Sequence, residues 1–300
     1  MTARLVDIVP AGCLLGEGIQ WNAADQALWW TDIEGRRLWR HPLGGASTQF
    51  EMPERLCAFA FTDMSGRLLA AFESGLAFLD LEAGQPQWIA RVEKGGSGRR
   101  FNDGRADRQG RFWVGTMVED ANRAGADSAQ LYCLDRAGSL SAHASGIAIS
   151  NGLCWSPDGG TLYFADSPKR EIHAWDFDPA TGQLGARRLF ARTPVGAFPD
   201  GANVDSEGGV WSAHWGAGQV VRYTPQGRVD EAIAVAAPQP TCIAFGGPDL
   251  KLLCVSTARM GLSALQLAAA PRSGDVFIYE LDIAGLAENR YEGDRVASAM

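Results

Sequence analysis

Cysteine and histidine are scarce in this sequence and form no motif. Six cysteines stand singly along the 300 residues, with no Cys-x-x-Cys pair. This spacing is typical of reduced thiols packed as small hydrophobic side chains, so we expect no disulfide framework and a cytoplasmic location. The four histidines show no His-x-x-x-His spacing, which argues against a multi-histidine zinc site. His214 is expected to be packed or solvated rather than part of a site.

Long apolar runs and basic clusters are also missing. No window approaches 18 uninterrupted apolar residues, so no membrane-spanning helix is expected. The first ten residues lack the basic start and apolar stretch of a secretory signal, which again favours the cytoplasm. With 27 Lys and Arg against 35 Asp and Glu, the net charge is −8, and no basic run offers a surface for nucleic acid or an anionic membrane. Neither the Gly-x-Ser-x-Gly motif nor the P-loop motif occurs, so serine-hydrolase and P-loop chemistry are not indicated.

Ten tryptophans and 36 glycines indicate many short strands joined by tight turns. One pattern occurs six times: an apolar residue, a polar turn rich in Asp, Pro and Gly, and then an apolar strand. The six copies span residues 21–30, 61–69, 106–113, 155–163, 204–211 and 245–253. Each copy predicts a β-hairpin, because the turn residues adopt unusual backbone angles and the flanking residues favour strands.

A further strand follows several of these hairpins, and the whole unit repeats about every 40 to 50 residues, the size of a four-stranded propeller blade. These additional strands are predicted at residues 37–40, 131–134, 172–175, 220–223 and 276–279. The sequence therefore predicts an all-β, six-bladed β-propeller with four-stranded antiparallel blades around a central metal-containing tunnel, as one domain over residues 1–300. We expect residues 5–9 to complete the last blade beside 276–279, because closing the ring removes exposed sheet edges. One short helical turn is expected within 261–270.

A polar residue followed by glycine recurs just before four of the hairpins. The pairs begin at Glu17, Asp103, Asn151 and Asp200, separated by 86, 48 and 49 residues, so they keep the spacing of one or two blades. Each leads into the innermost strand of its blade, and we expect the side chains to meet at one height in the tunnel. The alternative is that such pairs only supply turn residues. Several pairs in phase around a ring favour a shared site.

Glutamate, asparagine and aspartate offer hard oxygen donors. Carboxylates brought together in a confined place repel one another unless protons or a cation neutralise them. Oxygen ligands suit Ca²⁺, Mg²⁺ or Mn²⁺, although availability can load Zn²⁺ or Fe²⁺ instead. The pattern therefore predicts one divalent metal ion on the axis, with open positions for water and substrate.

Seven short motifs occur in a fixed order along nearly the whole chain. They are residues 15–21 (LGEGIQW), 100–104 (RFNDG), 115–117 (GTM), 150–153 (SNGL), 198–201 (FPDG), 245–248 (FGGP) and 256–259 (STAR). At these positions the sequence resembles the gluconolactonase/regucalcin family of six-bladed propellers, also called the senescence-marker-protein family. The number of motifs and their order argue against chance similarity.

The resemblance implies a metal site and a reaction. The metal ligands of the family correspond here to Glu17, Asn151 and Asp200. The implied activity is hydrolysis of a sugar (aldono-)lactone to the sugar acid, in carbohydrate catabolism. A divalent ion polarises a carbonyl and lowers the pKa of water, and Asp200 would double as the general base toward the attacking water.

Three further residues are implied to orient the substrate. Arg100 and Asn102, joined by Glu119, would contact the hydroxyl groups of the sugar or water bound to the metal. Asp103, which the repeat spacing groups with the ligands, is not a ligand in the family. We therefore expect Asn102 to take the inward position and Asp103 a supporting role.

Two other interpretations remain open. A non-catalytic, calcium-binding regulatory propeller would share the fold, because one fold serves many functions, but it has no need of Arg100, Asn102 and Glu119. A metal-dependent esterase or organophosphate hydrolase would share the ion, and the sequence does not determine the conformations of the loops that control access (52–56, 120–130 and 261–271). The expected partner is a small-molecule sugar lactone, with no nucleic acid or membrane, and the protein is expected to be a monomer or a weak homo-oligomer.

Overall fold

The computed structural model describes residues 3–64, 66–93 and 95–293, and their strands form six four-stranded antiparallel sheets. This is the six-bladed β-propeller predicted from the sequence. The first strand is β1 (Arg4–Val9). Blade 1 consists of β2 (Gly16–Asn22), β3 (Ala27–Asp32), β4 (Arg37–Pro42) and β5 (Thr48–Glu51), and blade 2 consists of β6 (Leu56–Phe61), β7 (Arg67–Phe72), β8 (Gly75–Asp80) and β9 (Pro86–Arg91). Blade 3 consists of β10 (Arg99–Ala106), β11 (Phe112–Val118), β12 (Ala129–Leu134) and β13 (Leu140–Ile147). Blade 4 consists of β14 (Ser150–Trp155), β15 (Thr161–Asp166), β16 (Glu171–Phe177) and β17 (Leu184–Arg192). Blade 5 consists of β18 (Phe198–Val204), β19 (Val210–Trp215), β20 (Gln219–Tyr223) and β21 (Val229–Ala234). Blade 6 contains β22 (Pro240–Gly246), β23 (Leu252–Thr257) and β24 (Val276–Glu280).

Repeated turn residues explain why the hairpins form. In blade 3, Asp107 closes the turn by accepting hydrogen bonds from the backbone N–H groups of Gln109 (2.9 Å) and Arg111 (3.0 Å), and it also accepts one from the indole N–H of Trp113 (3.0 Å). In blade 5, Asp205 accepts in the same way from the indole of Trp211 (2.8 Å). In each of these two blades a single aspartate therefore fixes the turn and also orients a fully buried tryptophan that packs between blades.

Blade 6 is closed by the two ends of the chain. β1 is its outer strand and pairs antiparallel with β24, with Leu5 opposite Tyr279 and Val9 opposite Val276. The predicted pairing of the N-terminal strand is therefore confirmed. The single domain expected over residues 1–300 stays a prediction, which the joining of both ends in one blade supports.

The segment 282–293 crosses the face of the ring at which the inner strands end. Its backbone and side chains bond to several blades: Tyr291 N–H donates to the Phe61 carbonyl (2.8 Å), and Asn289 Nδ2 donates to the Ala106 carbonyl (3.2 Å). We call residues 282–293 the C-terminal strap. It covers one end of the tunnel, so the tunnel opens at the other face, where the inner strands begin.

Short helical segments occur only in loops of the described chain. They are α1 (Ala121–Ala124), α2 (Ala264–Ala269) and a 3₁₀ turn at Ser167–Lys169. The second lies inside the helical turn expected at 261–270, whereas the first was not predicted. No helix among the described residues has the length and apolar character needed to cross a membrane. All six cysteines lie in the described part of the chain, where each is buried and unpaired.

Candidate metal and active site

The inner strand of every blade has a β-bulge near its start. In β2 the register shifts between Glu17 and Gln20, and corresponding shifts occur in β6, β10, β14, β18 and β22. A bulge bends the strand and re-aims the adjacent side chain. Gly18 and Gly152 follow Glu17 and Asn151 with φ of 56° and 66°, a left-handed conformation that favours glycine. The polar residue–glycine pairs are therefore bulge residues inside the inner strands, not hairpin turns.

Glu17, Asn151 and Asp200 meet at one cavity in the open end of the tunnel. The cavity has a volume of about 300 Å³, and Arg100 and Asn102 line it as well. All five residues are buried. The structure thus brings together five of the six site residues singled out in the sequence, and their roles as metal ligands or substrate contacts stay predictions.

Hydrogen bonds join Arg100 to Asn151 through Asn102. Arg100 Nη1 donates to Asn102 Oδ1 (2.7 Å). Asn102 Nδ2 donates to the Ser150 carbonyl (2.9 Å) and to Asn151 Oδ1 (3.1 Å). The side chains of blade 3 therefore hold a side chain of blade 4 in place at the cavity.

The carboxyl groups of Glu17 and Asp200 are buried with little compensating positive charge. Burial, and next the Asp103 carboxylate, raise the pKa of Glu17 to about 8. Burial, Glu17 and Asp103, in that order, raise the pKa of Asp200 well above its usual range. Arg100 acts in the opposite direction on both pKa values but does not offset these effects. The cavity therefore concentrates negative charge, a condition that protons or a cation relieve.

The donors around the cavity fit a hard divalent ion. Asp200 Oδ1 is buried and has no hydrogen-bond partner within the described residues, although buried polar atoms are usually paired. Glu17 Oε2 accepts a 3.2 Å bond from the N–H of its neighbour Gly18. Two carboxylates and an amide oxygen are the ligand types that Ca²⁺, Mg²⁺ and Mn²⁺ prefer. No group of three His, Cys, Asp or Glu side chains that could hold a metal occurs in the described chain, so the amide of Asn151 is needed to complete a three-ligand set.

Glu119 lies beside the cavity and is not among the residues that line it. Its carboxylate accepts a hydrogen bond from Arg100 Nε (3.1 Å) and two from Arg55 (2.8 and 2.9 Å). Burial opposes its ionisation, but the hydrogen bonds from Arg55 and the charge of Arg100 hold the pKa of Glu119 below its usual value. Arg55 also pairs with Glu73 (2.8 Å) and Glu34 (3.0 Å). Glu119 is therefore linked to the cavity only indirectly, by its hydrogen bond to Arg100, which lines the cavity.

Asp103 lies between the cavity and the covered end of the tunnel. Its half-buried carboxylate accepts a hydrogen bond from the Leu153 N–H (2.9 Å), and burial raises its pKa. Farther along the same strand, the buried Arg105 pairs with Glu288 of the C-terminal strap (3.4 Å). Asp103 therefore contributes charge near Glu17 without lining the cavity, a position compatible with the supporting role expected for it.

His214 is packed inside blade 5. Its Nε2 atom lies 3.1 Å from the hydroxyl of Tyr223, and burial lowers its pKa to about 4. It is not among the residues that line the cavity.

Apolar side chains also line the cavity, and they were not identified from the sequence. They come from several blades: Leu15, Met117, Ile149, Pro168, Phe198, Pro199, Trp215 and Met260. Phe198 and Trp215 lie opposite each other on β18 and β19. Four of them had a usable signal, because they belong to the motifs at 15–21, 115–117 and 198–201: Leu15, Met117, Phe198 and Pro199. The hydroxyl residue Ser167 also lines the cavity, and it was missed as well.

The fold and the cavity define a six-bladed β-propeller with an acidic site on its axis. Within that class, the chain belongs to the SMP-30/Gluconolactonase/LRE-like family, whose model matches residues 15–259. The L-arabinolactonase of Azospirillum brasilense is 42% identical over 93% of this chain and 92% of that protein. The 6-deoxy-6-sulfogluconolactonase of Pseudomonas putida is 36% identical over 98% of this chain and 100% of that protein. Among solved structures, the calcium-binding protein regucalcin of Agrobacterium tumefaciens matches with a TM-score of 0.89 and 32% identity, over 96% of this chain and 98% of that chain. The resemblance inferred from the motifs is confirmed.

The raised pKa of Glu17 predicts that the metal-free protein loses stability as the pH rises. Between its usual value of 4.5 and about 8, the folded state keeps a proton that the unfolded state has released. The stabilising contribution is complete below this window and is lost as the pH approaches 8. We expect the melting temperature of chelator-treated protein to fall by at least about 3 °C between pH 6 and 8, and saturating Mn²⁺ to offset the fall. A melting temperature that rises over this range without metal would contradict the charge distribution of the cavity.

Proposed function

We propose that this protein is a metal-dependent lactonase that opens an aldonolactone to the sugar acid. The observation that carries the proposal is the convergence of Glu17, Asn151 and Asp200 on one cavity, where Asp200 Oδ1 is buried with no hydrogen-bond partner in the described chain. Membership of the family supports it, as does the similarity over most of the chain to two proteins named as lactonases.

Glu17, Asn151 and Asp200 would hold one divalent ion. When bound, such an ion supplies Lewis acidity that polarises the lactone carbonyl and lowers the pKa of water. Oxygen donors favour Ca²⁺, Mg²⁺ or Mn²⁺, with Zn²⁺ and Fe²⁺ as alternatives. The carboxyl groups of Glu17 and Asp200 would then stay ionised in spite of their burial, because an opposite charge stabilises their ionised form.

Asp200 is the proposed general base. Its carboxylate lines the cavity, so the carboxylate oxygen that is not engaged with the ion can accept a proton from the attacking water. The oxygen of that water forms a bond to the carbonyl carbon, and the bond from that carbon to the ring oxygen breaks. The ring oxygen takes up the proton, so the products are one carboxylic acid and one hydroxyl group on the same open chain.

The polar and apolar residues of the cavity together suit a hydroxylated ring. Arg100 and Asn102 are buried polar side chains that line the cavity, and they already pair with Glu119, Asn151 and each other. Hydroxyl groups of a sugar can add hydrogen bonds to this polar edge, whereas an aryl ester offers few groups that do so. On the apolar side, Phe198 and Trp215 offer aromatic surface to the carbon-bound hydrogens of the sugar ring.

Glu119→Gln should chiefly change which lactone is preferred. Glutamine keeps the shape of the side chain but loses the charge that holds Arg100 and Arg55 together. Because Arg100 is then less firmly oriented, we expect the ratio of kcat/KM values between two aldonolactones to change by about tenfold, the worth of one charged hydrogen bond. The measurement is a comparison of initial rates across pentono- and hexonolactones.

Glu73→Gln is the matched control for this prediction. Glu73 also pairs with Arg55, but it has no hydrogen bond to Arg100. The ratios of rates should remain those of the wild type in this variant. Unchanged ratios in Glu119→Gln would count against a role for Glu119 in substrate choice.

The test of the proposed function is a pH-indicator assay on metal-stripped protein, with one divalent ion added back at a time. We expect release of acid from aldonolactones only when an ion is present, and little release from phenyl acetate or paraoxon. Binding of Ca²⁺ without release of acid from any lactone would favour the non-catalytic calcium-binding alternative. Faster turnover of the aryl ester or the organophosphate would assign the hydrolase to another substrate class.

The cytoplasmic location and the oligomeric state, monomer or weak homo-oligomer, stay predictions. The proposed partner is a small-molecule sugar lactone, and neither nucleic acid nor a membrane is part of the proposal.

A further inference from the structure

Ser167 links two of the proposed ligand strands at the cavity. It is the first residue after β15, it is buried, and it opens the 3₁₀ turn at Ser167–Lys169. Its hydroxyl donates to the Pro199 carbonyl (2.7 Å) and accepts from Asn151 Nδ2 (2.8 Å). The single hydroxyl group therefore touches the side chain of Asn151 on blade 4 and the residue that precedes Asp200 on blade 5.

We propose that Ser167 is a positioning residue that fixes the amide of Asn151, so that its oxygen rather than its nitrogen is presented for metal binding. This inference rests on the proposed function, because it concerns the same ion. It adds a residue that neither the repeat pattern nor the family motifs single out.

The direction of each hydrogen bond follows from groups that have only one role. The Pro199 carbonyl can only accept, so the Ser167 hydroxyl must donate its single hydrogen to it. Only the lone pairs of Ser167 then remain, and they require a donor, which is the NH₂ end of the Asn151 amide. The amide oxygen of Asn151 is thereby turned away from Ser167.

Asn102 fixes the oxygen end of the Asn151 amide, and its own orientation follows from groups that have only one role. Arg100 can only donate, so it faces Asn102 Oδ1, and the Ser150 carbonyl can only accept, so it faces Asn102 Nδ2. The second hydrogen of Asn102 Nδ2 points to Asn151 Oδ1. Both ends of the Asn151 amide are therefore determined, and a flip would place donor against donor at Asn102 and acceptor against acceptor at Ser167.

Ser167→Ala removes one of these two constraints. The buried Asn151 Nδ2 loses its hydrogen bond to the hydroxyl, and the amide gains freedom to present nitrogen, which does not bind a cation. Residues that orient metal ligands typically change metal affinity by about 10- to 100-fold when they are replaced. We expect the Kd of Mn²⁺ for the metal-stripped full-length protein to rise by at least about tenfold.

Ser212→Ala is the matched control. Ser212 is also a buried serine whose hydroxyl bonds to a backbone carbonyl, that of Ala213 (3.3 Å), but it does not line the cavity. Isothermal titration with Mn²⁺ should give a wild-type Kd for this variant. If Ser167→Ala lowers the metal-free melting temperature more than Ser212→Ala does and leaves the Mn²⁺ Kd unchanged, Ser167 is only structural and the proposal is overturned.

A double-mutant cycle with Asn151→Asp separates orientation from other effects. A carboxylate has oxygen at both ends, so there is no amide direction left for Ser167 to set. We expect Ser167→Ala to change the Mn²⁺ Kd by less than about threefold in the Asn151→Asp background, against about tenfold or more in the native one. Equal losses in both backgrounds would overturn the orienting role. Absence of Mn²⁺ binding by the wild type would overturn the proposed metal site itself, which is a distinct outcome.

Discussion

Asp200→Asn is expected to lower kcat for an aldonolactone by about 100-fold or more, the usual contribution of a general base. Asparagine preserves the shape of the side chain and one oxygen ligand, but it cannot accept the proton of the attacking water. Since that oxygen and the other two proposed ligands remain, Mn²⁺ binding should be weakened and still measurable. The measurements are steady-state kinetics at saturating Mn²⁺ and titration of the metal-stripped variant.

Asp103→Asn provides a graded comparison. Asp103 contributes negative charge close to Glu17 and Asp200, yet it is not among the residues that line the cavity. We expect a smaller loss of turnover than in Asp200→Asn, because this variant removes a nearby charge but no side chain that lines the cavity. Near-normal turnover of purified Asp200→Asn would refute the catalytic assignment of this residue.

Glu17→Gln should have its largest effect on metal affinity. The substitution removes one of the two proposed anionic ligands, and a pair of unit charges at 4 Å is worth about 4 kcal/mol at an effective dielectric of 20. We therefore expect the Mn²⁺ Kd to rise by about 100-fold or more, with part of the lactonase activity recovered at high Mn²⁺, because the proposed base is retained. Titration of metal-stripped protein and rates over a range of Mn²⁺ concentrations test both statements.

Glu93→Gln is the matched control for Glu17→Gln. Glu93 is likewise a buried glutamate, but it pairs with Arg99 (2.9 Å) and does not line the cavity. Its substitution should leave the Mn²⁺ Kd unchanged. Equal affinities of the Glu17→Gln variant and the wild type would rule out Glu17 as a ligand.

The sequence predicted the inner parts of the blades better than their outer strands. The hairpins and most third strands were predictable because they are largely buried on both faces, as in β3 and β19. The outer strands β5 and β21 are mostly exposed. A strand with little burial need not carry a continuous apolar pattern, so these two strands were not predicted, whereas the exposed outer strand β1 was predicted from the apolar residues within 5–9. The third strand of blade 2, β8, was missed although it is buried.

The bulges set a limit on what the repeat spacing could reveal. A regular strand alternates its side chains between two faces, so one of Asn102 and Asp103 should point inward and the other away. The register of β10 shifts between Phe101 and Gly104, which interrupts that alternation at these two residues. The spacing therefore grouped Asp103 with the ligands, and only the family resemblance favoured Asn102, which the structure places in the lining of the cavity.

Residues that act through partners on other blades had no signal in the sequence. Arg55 meets Glu119 from 64 positions away, and Ser167 meets Pro199 from 32 positions away. Neither 64 nor 32 is a multiple of the 40 to 50 residues of one blade, so the repeat spacing did not relate the members of these pairs. Such contacts become visible only when the ring is assembled in three dimensions.

The joining of β1 to β24 has a consequence for how the chain matures. During synthesis β1 emerges from the ribosome first, and it must wait for its partner until residues 276–280 have been made. Glu17 on blade 1 and Asp200 on blade 5 lie on either side of blade 6, whose inner strand touches both inner strands. A nascent chain arrested before blade 6 would carry the three proposed ligands and still lack the neighbour that holds Glu17 and Asp200 at their final separation. Tight binding of the proposed ion is therefore expected only once blade 6 has been made and the ring is closed.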